Sequence, residues 1–199
     1  FYRIQKGFKH ELVALSAAVQ LMINSKAAGV MFSLDVRDGD TSKVIIEGAW
    51  GLGEYVVQGT VTPDDFFVKK KTWKIIERKI SNKRVMLTRK AGGGNIEKKV
   101  PKSLRRKPIL SDKQVKQLAN YSLQLEKHYK HAQDTEWAID SDTGKLFILQ
   151  TRPETVWSER KKTKKQKVKG KILLEGFPAS PGVGTGIVKV IHSVKELGK

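Results

Sequence analysis

Four polar residues near position 140 have the types and the spacing of a site for a metal ion and phosphate groups. Asp134 and Glu136 lie two residues apart in one run of alternating apolar residues, and Gln150 and Arg152 lie two apart in the next. Because side chains alternate along a strand, each pair should project from one face, and a turn at 141–144 should bring the pairs together. Carboxylate oxygens suit Mg²⁺, and a guanidinium binds phosphate oxygens in a fork. The hairpin therefore fits a nucleoside triphosphate site, with a surface hairpin that carries an ordinary cross-strand ion pair as the alternative.

Two acidic residues flank a glycine-rich turn. Glu47 ends a predicted strand at 43–47, and Glu54 follows Gly51 and Gly53. Glycine lets the backbone approach a ligand closely, so these acids could reach a cation or ribose hydroxyls. The glycine spacing matches neither a dinucleotide-binding fingerprint nor a P-loop. A purely structural turn is therefore the alternative.

The segment 20–23 is predicted as a hinge strand that could offer backbone donors and acceptors to an adenine, with Met22 against the ring. A methionine on a short apolar element is also typical of a hydrophobic core. The longer segment 10–23 fits a helix or a strand equally well.

The elements that must position these residues are strands and a few helices, which predicts an α/β globular domain. An amphipathic helix should begin at a cap around Ser111 and run to about residue 130, and a short helix should occupy 55–59. The predicted strands cover 29–34, 43–47, a meander at 66–68 and 72–79 that 84–87 continues, and the two arms of the hairpin, with a loop at 92–95.

The net charge of +19 first suggests a nucleic-acid-binding protein, but its distribution argues against that interpretation. Residues 160–171 hold eight basic residues and no acidic one, so they carry much of the excess. This run has no aromatic residue to stack on a base and no apolar face. We therefore interpret it as a basic, flexible linker, with RNA or anion binding as the alternative.

The composition changes across this linker, which predicts a domain boundary. Residues 1–157 should form one domain, 158–171 the linker, and 172–199 the start of a second β/α domain with strands at 172–176 and 186–191. Some 28 residues cannot bury a core of their own, so we expect the second domain to be truncated.

The remaining composition excludes several classes of protein. The chain contains no cysteine, which excludes disulfides and thiol chemistry and fits a cytoplasmic protein. The four histidines have no metal-ligand spacing, and no apolar run approaches the roughly 18 residues of a membrane span. The chain starts at Phe1 without an initiator methionine, and we interpret it as a piece of a longer protein.

Several blocks in a fixed order resemble one family, from about residue 10 to residue 191. The chain resembles the nucleotide-binding domain of phosphoenolpyruvate synthase (pyruvate, water dikinase). The blocks that carry the resemblance are Gly-Val-Met-Phe-Ser-Leu-Asp at 29–35, Ile-Ile-Glu-Gly-Ala-Trp-Gly-Leu-Gly-Glu at 45–54, Val-Thr-Pro-Asp-Asp at 61–65, Asp-Thr-Glu-Trp-Ala-Ile at 134–139 and Leu-Gln-Thr-Arg-Pro-Glu-Thr-Val at 149–156.

The resemblance implies an α+β fold with a mixed or antiparallel sheet, namely the second lobe of an ATP-grasp fold, which would bind ATP and Mg²⁺ against a first lobe. Gln20 and Met22 would border the adenine. Glu136 and Gln150 would be the metal ligands, and Arg152 would be the catalytic arginine that holds the transferring phosphates. The nucleotide-binding set implied by the family is Gln20, Met22, Glu47, Glu54, Asp134, Gln150 and Arg152.

In the family, ATP phosphorylates a carrier histidine, and pyruvate then becomes phosphoenolpyruvate with release of AMP and phosphate. The segment 176–190 resembles the start of the swivelling phosphohistidine domain, but the carrier motif of Gly-Thr-Cys-His type does not occur here. The first lobe, the carrier histidine and the pyruvate-binding domain are therefore expected as partners in cis outside this sequence. We expect the isolated chain neither to turn over nor to bind ATP tightly.

Two other functions remain as alternatives at this stage. A sister dikinase of the rifampin or glucan phosphotransferase type would share the same lobe, because the acceptor is chosen elsewhere in the protein. A basic RNA- or anion-binding module is the alternative from a different class.

Overall fold

A six-stranded antiparallel sheet carries most of the fold in the computed structural model, which describes residues 1–5, 7–14, 16–155, 157, 173–174, 184–188 and 190. The strands are β1 (Ser25–Phe32), β2 (Lys43–Trp50), β3 (Asp64–Lys69), β4 (Lys74–Lys79), β5 (Val85–Arg89), β6 (Asn95–Lys99), β7 (Gln133–Asp140) and β8 (Leu146–Pro153). The large sheet has the order β4-β3-β2-β1-β7-β8, and β5 and β6 form a separate hairpin. The helices are α1 (Tyr2–Gln5), α2 (Glu54–Val57) and α3 (Asp112–Tyr129), with a 3-10 turn at His10–Leu12.

One face of the sheet packs on helix α3, which contacts β1, β2, β3 and β7. Ser111 caps α3 with a reciprocal pair of bonds, because its side chain accepts from Gln114 N–H while the Gln114 side chain accepts from Ser111 N–H. The alternation along each strand places apolar residues against α3. The buried core includes Met31, Val44, Ile46, Phe66, Val68, Val115, Leu118 and Trp137.

Trp137 fixes the centre of this core. Its indole Nε1 donates to Val30 O at 3.1 Å, and the side chain is fully buried. Gly48 leaves room for the ring, since a Cβ there would lie 2.7 Å from Trp137 Cζ2 and 2.7 Å from Ile109 Cδ1. The glycine of the Ile-Ile-Glu-Gly block therefore has a packing role on the face opposite to the side chain of its neighbour Glu47.

The β5–β6 hairpin is joined to the end of β2 at Gly51. This residue forms an isolated bridge with Leu87, and Leu52 N–H donates to Leu87 O at 2.8 Å. Gly51 has φ +84°, and a Cβ there would lie 2.2 Å from Leu87 O. Only glycine fits both the backbone angle and the close approach.

A buried ion pair anchors the segment that leads into the hairpin. Lys83 Nζ donates to Asp64 Oδ1, and both side chains are fully buried. Asp64 also accepts from Ser81 N–H at 2.9 Å and from Ile109 N–H at 3.0 Å. A single carboxylate thus ties the start of β3 to two other segments of the chain, and the charge of Lys83 compensates its burial.

Most predicted elements of the first 157 residues are present, with three corrections. The hinge strand predicted at 20–23 is wrong, because these residues have no regular structure and β1 begins only at Ser25. The described residues of 10–23 form neither a long helix nor a strand beyond the turn at His10–Leu12. The strand at 84–87 does not continue the β3–β4 meander but pairs with β6, which the sequence did not predict.

The predicted second domain lies mostly outside the described residues. Of the strands predicted at 172–176 and 186–191, the residues that are described (173–174, 186–188 and 190) are not in a strand. The linker at 158–171 lies entirely outside them. Among the helices of the described part, none has the length and apolar character needed to span a membrane.

Candidate functional site

A row of polar side chains crosses the sheet on the face away from α3. The register pairs Asp65 with Glu47, Glu47 with Val30, Val30 with Glu136 and Glu136 with Gln150. Directly paired residues project from the same face of an antiparallel sheet. Three carboxylates and one amide, which lie far apart in the sequence, are therefore aligned in one row across five strands.

A β-bulge in β8 sets the end of this row. Glu136 pairs with Gln150 and Trp137 with Ile148, so Leu149 has no partner in the ladder. Leu149 O instead accepts a bond from Gln20 Nε2 at 3.2 Å. The bulge thus lets Gln150 face Glu136 and connects β8 with the segment that precedes β1.

The neighbouring row contains the second predicted pair of the hairpin. Asp134 lies opposite Arg152, and Asp134 Oδ2 accepts from Arg152 Nε at 2.8 Å and lies 2.7 Å from Arg152 Nη2. The cross-strand ion pair considered from the sequence is therefore present. The Arg152 side chain is 69% exposed while that of Asp134 is 13% exposed, so the guanidinium remains accessible from solvent.

Glu47 and Asp65 are adjacent acids with little access to water. Burial, and then the charge of Asp65, raises the pKa of Glu47 to about 7. Burial also raises the pKa of Asp65 to about 6, and its Oδ1 has no hydrogen-bond partner among the described residues. Holding both groups ionised is unfavourable, so this end of the row favours a proton or a cation.

Arg37 is a cation that the structure places beside these acids. Asp35, which is buried, binds it through Arg37 Nε at 2.9 Å and Nη2 at 2.6 Å, and the guanidinium stacks 4.3 Å from the centre of the Phe67 ring. Burial alone would raise the pKa of Asp35, but the bonds and charge of Arg37 lower it overall. The charge of Arg37 also lowers the pKa of Glu47, although burial outweighs it. Lys79, which pairs with Asp65, is a second cation here, and its charge and then that of Arg37 lower the pKa of Asp65, again by less than burial raises it.

A cleft of about 420 Å³ opens beside Glu136. Met22, Glu54, Leu149 and Arg89 also line it, so elements from four parts of the chain meet there. Leu52, Val57 and Met22 make part of its wall apolar, and Glu54 accepts from Gln58 Nε2 at 3.1 Å. Such a mixture of apolar wall and few polar groups is typical of small-molecule sites.

The predicted site residues thus fall into four positions. Met22, Glu54 and Glu136 line the cleft itself, and Glu47 and Gln150 share the row of Glu136. Asp134 and Arg152 occupy the next row, and Gln20 contacts the cleft wall through Leu149. The sequence did not single out Asp65, Arg37 or Arg89 as site residues. Asp65 directly precedes the strand predicted at 66–68, but assigning it to the row of Glu47 required the register.

The donor set around Glu136 fits a hard cation that also binds a ligand. Within the described residues, no cluster of three or more His, Asp or Glu side chains could hold a metal ion by itself. Glu136 and Gln150 nevertheless place two oxygen-bearing side chains opposite each other. Mg²⁺ is usually bound by one or two carboxylates together with substrate phosphates and water, which is the mode that this pair can supply.

Comparisons with known proteins identify the family of this chain. Residues 1–171 match the family described as pyruvate phosphate dikinase, AMP/ATP-binding domain. The chain belongs to this family. Over its full length it is 45% identical to a probable phosphoenolpyruvate synthase of Methanocaldococcus jannaschii, 42% to the phosphoenolpyruvate synthase of Pyrococcus furiosus and 44% to that of Pseudomonas aeruginosa. The chain spans 17%, 25% and 27% of the lengths of these three relatives, respectively.

Proposed function

We propose that residues 1–157 form the second lobe of an ATP-grasp nucleotide-binding domain in a phosphoenolpyruvate synthase. In this proposal 158–171 link that lobe to the start of a phosphohistidine domain at 172–199. The observation that carries the proposal is the pairing of Glu136 with Gln150 beside a cleft that Met22 and Glu54 also line. Membership of the AMP/ATP-binding family supports the nucleotide as ligand.

The cleft offers separate surfaces for the parts of a nucleotide. Met22 and Leu149 provide apolar surface for the adenine, with Gln20 holding the Leu149 carbonyl. Glu54, at the start of α2, is placed to accept from ribose hydroxyls. With these assignments, the bound nucleotide would run from the segment before β1 towards the carboxylate row.

The phosphates would then lie over the row, where charge must be balanced. Glu136 and Gln150 would hold Mg²⁺, which neutralises phosphate charge when it is bound. Arg152 would bind phosphate oxygens, and Asp134 orients its guanidinium through the ion pair already formed. Phosphoryl transfer depends mainly on such positioning and electrostatic stabilisation, so these residues need no covalent role.

Glu47 and Asp65 would adjust the charge at the far end of the row. Their raised pKa values mean that each acid holds its proton more tightly than usual, and a cation held nearby would lower both pKa values and displace those protons. We assign Glu47 to the nucleotide site on this ground and on its place in the row.

The reaction of the whole protein would need parts beyond this sequence. We propose that ATP is used to phosphorylate a carrier histidine and that pyruvate and water yield phosphoenolpyruvate, AMP and phosphate. The relatives of that name support pyruvate as the acceptor. A sister dikinase with another acceptor would use the same lobe in the same way.

A calorimetric titration with Mg²⁺ and a non-hydrolysable ATP analogue tests the site. The protein should be this chain joined to a preceding nucleotide lobe, since the chain alone is expected to bind weakly. We expect Glu136→Ala and Arg152→Ala each to lower the affinity at least tenfold, or about 1.4 kcal/mol. Glu136→Ala should also weaken the dependence of binding on Mg²⁺.

Arg78→Ala is the matched control. Arg78 forms a surface ion pair with Asp112 at 2.8 Å, much as Arg152 does with Asp134, but on the edge strand β4. This variant should bind the analogue within twofold of the unmodified protein. Wild-type affinity of Glu136→Ala, or ATP turnover by the isolated chain, would contradict the proposal.

A further inference from the structure

A second cleft, of about 340 Å³, lies on the other side of the β5–β6 hairpin. Its floor is apolar and comes from Trp50, Met86 and Leu104. Trp50 is 8% exposed, and its Nε1 donates to Leu104 O at 3.1 Å, so the indole is fixed in place. The volume lies at the lower end of the roughly 300–1,000 Å³ typical of small-molecule sites.

Three cations surround this floor, one from each of three strands. Lys26 comes from β1, Arg89 from β5 and Lys98 from β6, and all three residues are exposed. No Asp or Glu among the described residues lines the cleft. Within the part of the chain that the structure describes, none of the three makes an ion pair. Their positive charge is therefore available to a ligand.

The rest of the lining is polar but uncharged. Ser25, Thr88 and Ser141 add hydroxyl groups around the cleft. Ser25 Oγ donates to Gly51 O at 2.8 Å and Thr88 Oγ1 to Ile96 O at 3.4 Å, whereas Ser141 Oγ accepts from Asn24 Nδ2 at 3.3 Å and can donate its own hydrogen to an anion. The cleft therefore combines an apolar surface, one hydroxyl donor and an uncompensated positive rim.

We propose that this second cleft binds a small organic anion, in which one phosphate or carboxylate group is attached to an aromatic or aliphatic body. The three cations bind the charged group, and the Trp50 floor binds the body. Inorganic phosphate would use only the rim, and a neutral aromatic molecule would use only the floor. The proposal does not rest on the proposed nucleotide site, because Leu52 and Arg89 are the lining residues that the two clefts share among the described residues.

Titration of the 199-residue chain with phenyl phosphate tests the proposal. The indole N–H resonance of Trp50, identified by its loss in Trp50→Phe, reports on the floor of the cleft. We expect a saturable shift with phenyl phosphate or benzoate, and at least tenfold weaker binding of inorganic phosphate and of benzyl alcohol. The stronger of the first two probes identifies the preferred anionic group, and either order supports the proposal.

Neighbouring lysines on β6 provide a matched pair of variants. Lys98 pairs with Met86 and lines the cleft, whereas Lys99 pairs with Val85 and does not. We expect Lys98→Gln to weaken phenyl phosphate binding at least fivefold and Lys99→Gln to change it less than twofold. Equal effects of the two variants would indicate diffuse attraction to a basic surface and would overturn the proposal. The absence of a saturable shift, or equal binding of benzyl alcohol, would overturn it as well.

Discussion

The two clefts on either side of the β5–β6 hairpin differ in the sign of their charge. Glu54 and Glu136 face the first cleft, and Arg89 is the one basic residue in the described part of its lining. Arg89 also lines the second cleft, where it joins Lys26 and Lys98 and where the described lining contains no acid. One arginine and one hairpin thus separate a cleft suited to a metal–phosphate ligand from a cleft suited to an organic anion.

The difference shows that the overall charge of a chain says little about its sites. The chain carries a net charge of +19, yet the row through Glu47 and Glu136 is acidic. The first cleft takes its charge from a sheet face, where the register aligns residues from distant parts of the sequence. The second takes its charge from strand ends and the hairpin, where an excess of lysine and arginine is not compensated.

The largest expected effect comes from detaching the hairpin that both clefts share. Gly51→Ala would place a Cβ 2.2 Å from Leu87 O at a residue with φ +84°. We expect a loss of roughly 3 kcal/mol in the free energy of unfolding, measured by denaturant titration. Phenyl phosphate binding should also be lost, because Arg89 and Lys98 would move away from the Trp50 floor.

Gly59→Ala is the control for the backbone angle alone. Gly59 has φ +69°, but a Cβ there would have nothing within 4 Å. This substitution should cost about 1 kcal/mol and leave both clefts intact. Equal losses for the two variants would show that the close approach to Leu87 does not hold the hairpin.

The next largest effect concerns the acidic row and depends on pH. The pKa of Glu47 is raised in the folded state, to about 7 from an ordinary value of 4.5. Because the folded state binds the Glu47 proton more tightly, this proton stabilises the fold. The stabilisation is fully present below the ordinary pKa and is lost as the pH rises through about 7. Glu47→Gln should stabilise the chain above that pH by on the order of 2 kcal/mol, and by little at pH 4.

Thermal or denaturant unfolding between pH 4 and pH 8 measures this change. Glu77→Gln serves as the control, because Glu77 is exposed on β4 and pairs with Lys79 at 3.5 Å. The free energy of unfolding of the Glu77→Gln variant should stay within about 0.5 kcal/mol of that of the unmodified chain over the whole pH range. A pH-independent effect of Glu47→Gln would mean that Glu47 does not titrate under the influence of burial and Asp65.

The smallest effect separates binding from folding at Arg152. This side chain is 69% exposed, and exposed ion pairs contribute little to stability. We expect Arg152→Ala to change the free energy of unfolding by less than about 0.5 kcal/mol, the same as Arg78→Ala. A loss of unfolding free energy well above that value for Arg152→Ala alone would mean that the Arg152–Asp134 pair has a structural role. Weaker nucleotide binding by Arg152→Ala would then no longer identify Arg152 as a phosphate ligand.

The sequence alone predicted the parts of the site that depend on local patterns. The period-two alternation around Glu136 and Gln150 predicted the β7–β8 hairpin, and Ser111 with its neighbours predicted the start of α3. The short helix after Gly53 was also predicted correctly. These features rest on side-chain alternation and capping, which are encoded within a few residues.

The parts that failed depend on contacts between distant segments. The residues 20–23 have strand-like composition but no partner strand, so they contact the cleft without joining the sheet. The row of Asp65 and Glu47 exists only through the register of β2 and β3. The second cleft requires Gly51 to meet Leu87, and no spacing in the sequence states that pairing.

The Lys83–Asp64 pair has a consequence for how variation in this region is tolerated. Asp64 holds the backbone at Ser81 and Ile109 as well as Lys83, so both ends of the intervening stretch are fixed from within the core. The tip of the hairpin at 92–94 is exposed and lies far along the chain from these anchors. The tip can therefore change in length or composition over evolution or by design. The anchored ends would still fix the direction in which the chain leaves the core and returns to it.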